Sequence, residues 1–106
     1  MVDNPIPVRA RIRLLPREEG GRATPIVGGT SYRPNHNFMS DQNVEMGMGA
    51  IDLPPGFLLQ PGESVEVEMT LYPWPLDTDI SPGREWRIQE GGRLVGIGTV
   101  LDILSD

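Results

Sequence analysis

Four stretches of the chain carry their apolar residues at regular intervals, and they set the expected architecture. Over residues 6–14, Ile6, Val8, Ala10, Ile12 and Leu14 share one parity, while Arg9, Arg11 and Arg13 share the other. Period two is the signature of a strand with one buried face. Residues 64–71 repeat it, with Val65, Val67, Met69 and Leu71 on one side and Glu66, Glu68 and Thr70 on the other. Residues 84–89 place Trp86 and Ile88 inward and Arg87 and Gln89 outward. The last stretch, 94–104, is apolar at both parities and is relieved by Gly96 and Gly98. Such a strand must be covered on both faces or presented to another molecule.

Two weaker segments complete the set. A short strand is expected around residues 36–40, entered through Tyr32-Arg33-Pro34, where proline holds the preceding residue extended. A bent strand is expected over residues 44–53, with Gly47 and Gly49 marking a bulge or a close backbone approach. Glycine and proline punctuate nearly every connection, as in Pro54-Pro55-Gly56 and Pro61-Gly62, and no segment has a helical period. Six strands at short spacing predict an all-β barrel or sandwich, and closure into a barrel would remove exposed edges. The expected organisation is a lead-in at residues 1–5 and one domain over residues 6–104.

Composition narrows the chemistry. The 106 residues suit one core, and with 38% apolar residues no run reaches the length of a membrane span or a signal-peptide core, so a cytoplasmic protein with no membrane partner is expected. Cysteine is absent, which removes disulfides and thiolate chemistry. All nine basic residues are arginine, so no phosphate-loop lysine exists and no GTP binding by this chain is expected. His36 is the single histidine and has no metal-ligand companion, so it reads as structural or rim-facing. Asp77-Thr78-Asp79 opens like a calcium loop without its glycine and glutamate, and Gly96-Ile97-Gly98 lacks the third glycine of a dinucleotide loop. We therefore assign no metal, no cofactor and no catalytic residue. The net charge of −6 opposes nonspecific adhesion to nucleic acid, although a local basic stripe could still meet phosphate, because charges beyond about 8 Å are screened. The only such stripe is Arg9, Arg11 and Arg13. It reads either as a phosphate-binding face or as one paired with acids on a neighbouring strand, for which Glu66 and Glu68 are the natural partners.

One motif occurs twice: Glu19-Gly20-Gly21-Arg22 and Glu90-Gly91-Gly92-Arg93. A Gly-Gly pair supplies positive φ without a Cβ penalty, so each copy reads first as a turn between strands that holds its glutamate and arginine at an edge.

These stretches together resemble the C-terminal β-barrel domain of elongation factor Tu. The similarity runs in order through Arg17-Glu18-Glu19-Gly20-Gly21-Arg22-Ala23-Thr24-Pro25, Tyr32-Arg33-Pro34, Glu45-Met46 and Pro61-Gly62-Glu63-Ser64-Val65, and it ends with residues 86–100, which contain Glu90-Gly91-Gly92-Arg93 and Gly96-Ile97-Gly98. The resemblance implies a six-stranded antiparallel closed barrel without the family's GTPase domain. It implies a non-catalytic, translation-associated module that docks on the T-arm backbone of tRNA, with Arg22, Glu90 and Gly91 at positions of family contacts and Asn35 where the family has glutamine. Ala23 stands where the family usually has histidine. Turn N–H groups and an arginine fork suit phosphate and ribose oxygens, which report RNA shape rather than sequence.

The alternative expectation is a protein-interaction module whose partner is a translation GTPase, another protein or a second copy of the chain. Its motivation is the apolar surplus at 94–104 with Met46, Met48 and Phe57-Leu58-Leu59. Arg9, Arg11, Arg13, Arg33 and Arg93 are the candidate residues of an interaction surface.

Overall fold

The alternating segments become the long strands of the protein, whose computed structural model describes residues 5–29, 31–38, 46–73 and 78–104. In chain order the strands are β1 (Ile6–Leu14), β2 (Ile26–Val27), β3 (Ser31–Tyr32), β4 (Asn35–Asn37), β5 (Ile51–Asp52), β6 (Leu58–Leu59), β7 (Ser64–Leu71), β8 (Glu85–Glu90) and β9 (Arg93–Ile103), with a 3-10 turn at Arg17–Glu19. No α-helix occurs among the described residues, and no helix is long and apolar enough to cross a membrane. Met1–Asn4 of the expected lead-in, Met39 and Ser40 of the short strand, Val44 and Glu45 of the bent strand, and Asp77 of the calcium-like sequence lie outside the described residues.

All pairings are antiparallel. The main sheet has the order β4-β8-β9-β1-β7, and two ribbons, β2-β6 and β3-β5, stand beside it. These strands do not form one continuous six-stranded barrel among the described residues; the glycines and prolines cut the middle of the chain into two- and three-residue pieces. Among the described residues of the expected bent strand, only Ile51 and Asp52 are a strand, and β5 pairs with β3. Gly47 and Met48 instead make single bridges, Gly47 to His36 on β4 and Met48 to Tyr72 just past β7. The segment thus touches both edges of the main sheet.

The alternation of β1 and β7 is realised as the pattern predicts. Val8, Ala10, Ile12 and Leu14 are fully buried, with Val67, Met69 and Leu71 from β7 in the same core. The register sets Arg9 opposite Glu68 and Arg11 opposite Glu66. The double parity of β9 has a backbone cause. Ile88 pairs with Gly96 and Gln89 with Leu94, which leaves Val95 as an extra residue; Arg9 pairs with Asp102 and Ala10 with Val100, which leaves Leu101 extra. Each bulge reverses the facing of the residues beyond it, so Val95 and Val100 can both be buried while Asp102 comes beside Arg9. Gly98 is required by packing: a Cβ there would lie 2.3 Å from Cζ2 of Trp86.

Candidate functional site

The two repeated motifs meet. After β1 the chain makes the 3-10 turn, and Gly20 adopts φ 91° so that its N–H bonds the Arg17 carbonyl at 3.0 Å. Gly21 then passes so close to the Leu15 carbonyl that a Cβ would lie 2.1 Å from its oxygen. The second copy is the tight β8–β9 hairpin, in which Glu90 pairs with Arg93 and Gly91 has φ 62°. Positive φ at the first of two central residues suits the right-handed twist of the flanking strands.

The side chains of each turn reach into the other. Arg93 donates from Nε to the Gly20 carbonyl at 3.1 Å and from Nη2 to the Gly21 carbonyl at 2.6 Å. In return, Arg22 of the first turn donates from Nη1 to Oε2 of Glu90 in the second. The Tyr32 hydroxyl donates to the same oxygen at 2.5 Å, and the Arg22 guanidinium lies 5.4 Å over the Tyr32 ring. Arg22 also bonds the Thr24 carbonyl at 3.1 Å through Nε. Turns some 70 residues apart in sequence are thereby joined into one platform by two arginine exchanges.

Burial alone would push the Glu90 carboxyl up, but the bonds from Tyr32 and Arg22 outweigh it and hold the group below the usual carboxylate range. Burial, aided by the Glu90 charge, pushes the Tyr32 phenol well above its ordinary value. For Arg22, burial opposes the charge but Glu90 outweighs it, so the guanidinium stays protonated. The cluster at neutral pH is therefore an ion pair with a neutral phenol.

Asn35 is exposed on β4 and is the register partner of Gln89, the neighbour of Glu90. Gln89, expected to face outward, is buried: it accepts from Asn37 Nδ2 at 2.7 Å and donates to the Gly91 carbonyl at 3.4 Å. Asn35, Glu90 and Gly91 thus follow one another along the β4–β8 edge, and Arg22 joins them through Glu90. Tyr32 belongs to this cluster, and the only trace of it in the sequence was the Tyr32-Arg33-Pro34 element of the resemblance.

The other candidate arginines are arranged differently. Arg9 contacts Glu68 at 3.6 Å and Asp102 at 3.2 Å, Arg11 contacts Glu66 at 3.7 Å, and Arg13 contacts Glu19 at 3.9 Å. The stripe is the paired face that the strand pattern allowed. Arg33 is exposed and lines a cleft of about 410 Å³ with Met48, Asp52, Glu68 and Tyr72, separate from the platform. His36 is not at a rim: it is fully buried between Trp86 and Gly49. No group of three His, Asp or Glu residues arranged to hold a metal occurs among the described residues.

Fold and platform together define a small antiparallel all-β protein in which two turns are cross-linked into one polar surface. No family model matches the chain.

Proposed function

We propose that the protein is a non-catalytic docking module of the elongation factor Tu C-terminal domain type, translation-associated, whose paired-turn platform engages the sugar–phosphate backbone of the tRNA T arm. The observation that carries this reading is the reciprocal exchange in which Arg22 bonds Glu90 and Arg93 bonds Gly20 and Gly21. It makes a rigid polar surface out of two turns, and such preorganisation lowers the ordering cost of binding. Gly91 and Gly92 have open space where a side chain would stand, so a backbone can come close. Among the described residues, Oε2 of Glu90 takes both internal bonds, which leaves Oε1 to accept a ribose hydroxyl, while Arg22, its own charge paired with Glu90, holds that carboxylate and the first turn in place for the backbone. The barrel-type architecture belongs to the same proposal: the bridges of Gly47 to β4 and of Met48 to Tyr72 would close the main sheet through a sixth segment.

With Arg22 paired to Glu90 and Arg93 bonded to the Gly20 and Gly21 carbonyls, at most about one phosphate is neutralised, and raising salt from about 50 to 200 mM should weaken binding by no more than about 3-fold. Fluorescence anisotropy of labelled tRNA at about 50 mM salt tests the reading. Saturable binding that is lost in Arg22→Ala supports it. No binding, or equal binding by Arg22→Ala, sinks it.

A second reading, a protein-interaction module, is favoured by one observation. Val27 and Leu58, register partners across β2–β6, are 53% and 47% exposed, and Phe57 beside them is exposed as well. Apolar neighbours on a surface mark contact sites. A protein that remains monomeric at high concentration and retains no translation GTPase on a column would count against this reading.

A further inference from the structure

The buried histidine makes no part of the platform, and its surroundings are unusual for a titratable ring. His36 Nε2 lies 2.8 Å from the Gly49 carbonyl, which can only accept, so Nε2 carries the proton. Nδ1 lies 2.8 Å from the indole nitrogen of Trp86, which can only donate, so Nδ1 must be bare. The two partners together require the neutral ring. The backbone of the same residue bonds Gly47 in both directions, N–H to carbonyl at 3.1 Å and carbonyl to N–H at 2.8 Å. His36 is therefore the point at which β4, β8 and the 46–50 segment are fastened together.

We propose that His36 is an acid-sensitive latch: protonation at Nδ1 sets a second donor against the Trp86 N–H, so the charged ring must leave its pocket to reach water, and its exit breaks the Nε2–Gly49 bond and frees β4 from the 46–50 segment while the β1–β7 and β1–β9 ladders stay formed. The proton has nowhere else to be accommodated. Against the ring stand the indole of Trp86, the Gly49 carbonyl and, from β7, the neighbourhood of Met69 and Thr70, whose atoms close on the Gly49 Cβ position. The charged residues of the elements packed there are Glu66 and Glu68 on β7, Asp52 on β5, Glu85, Arg87 and Glu90 on β8, and Arg84 just before β8, which bonds the Phe38 carbonyl at 2.6 Å; they are exposed or half-buried, and none of them shifts the ring. Burial lowers the affinity of the ring for a proton, opposed only by the Gly49 carbonyl. Uptake of the proton is thus coupled to opening. The release would reach the platform, because Asn37 on β4 bonds Gln89, and Gln89 bonds the Gly91 carbonyl. The latch does not depend on what the platform binds.

Amide and indole hydrogen exchange, followed by NMR from pH 7.5 to 4.5, tests the latch. The protection factors of the His36 and Gly47 amides and of the Trp86 indole should fall by up to about tenfold per pH unit below about 6.5, with the β1–β7 amides unchanged. In His36→Phe the same sites should show no such slope. Equal slopes in the variant, or simultaneous loss of the β1–β7 ladder, would overturn the proposal. Should the variant not fold, the Cε1 proton of His36 in the unaltered protein decides: protonation in step with loss of indole protection supports the latch. Protonation with the indole still protected, or no protonation before the whole sheet unfolds, refutes it.

Discussion

Arg22 and Glu90 stand 68 residues apart in the chain and share an ion pair whose carboxylate oxygen also accepts the Tyr32 hydroxyl. The two side chains are 22% and 34% exposed. The pair is therefore screened less than a surface salt bridge and desolvated less than a core one. A double-mutant cycle of Arg22→Ala and Glu90→Ala by urea denaturation should return a coupling of about 1–2 kcal/mol. A coupling indistinguishable from zero would mean that water replaces the pair at no cost.

Acid should act on the fold in two steps. In the native state His36 takes up a proton less readily than in the unfolded chain, so the unfolded state binds more protons below pH about 6.5 and stability falls as pH drops through that range. Glu90 is also held below its ordinary value of 4.5; its contribution is complete above that pH and is lost as pH falls further. Unfolding free energies measured from pH 7.5 to 3 should lose the upper slope in His36→Phe and much of the lower one in Glu90→Gln. Tyr32 acts in the opposite direction at the alkaline end, because its raised value makes the folded state hold its proton longer. Stability should decline as pH rises past 10, and Tyr32→Phe should remove that decline.

Legibility in the sequence tracked the length of each pattern. In β1 and β7 the alternation is long enough to fix both the buried face and the facing charges, and Arg11 lies opposite Glu66 as the pattern implied. In β9 the pattern reported only that alternation failed. Its cause, the extra residues Val95 and Leu101, is a matter of register with two neighbours and leaves no local mark. The ribbons β2–β6 and β3–β5 are two residues long, too short for any period. His36 takes the structural rather than the rim position, and Gln89 defies the sequence pattern, for a related reason. A polar residue is expected at the surface until its partners are known, and theirs, Trp86 and Asn37, are 50 and 52 residues distant. Of the platform, the turns were visible as Gly-Gly pairs, but the crossing of Arg22 and Arg93 between them depends on tertiary geometry.

Gly98 offers a direct probe of the core. A methyl group there would meet Cζ2, Cε2 and Cη2 of Trp86 within 2.6 Å, and overpacking of this kind costs about 1–3 kcal/mol. Gly98→Ala should lower the melting temperature accordingly. In the Trp86→Phe background the smaller ring should relieve part of the clash, so the double variant loses less than the two single losses added. Gly92→Ala is the control. Its Cβ would meet nothing within 4 Å, and its φ is not positive, so stability should change by less than about 0.5 kcal/mol.

The arginine stripe separates a charged face from a binding face. Arg9, Arg11 and Arg13 each have a carboxylate within 3.9 Å, supplied by Glu68 and Asp102, by Glu66 and by Glu19 respectively. A phosphate approaching them would have to displace those acids and would meet the repulsion of the ones displaced. Arg11→Ala should therefore leave the affinity for tRNA within about twofold, where Arg22→Ala abolishes it, and should cost under about 1 kcal/mol of stability because the Arg11–Glu66 pair is exposed. The paired measurements locate the ligand: a loss in Arg11→Ala as large as in Arg22→Ala would move the binding face from the turns to the sheet.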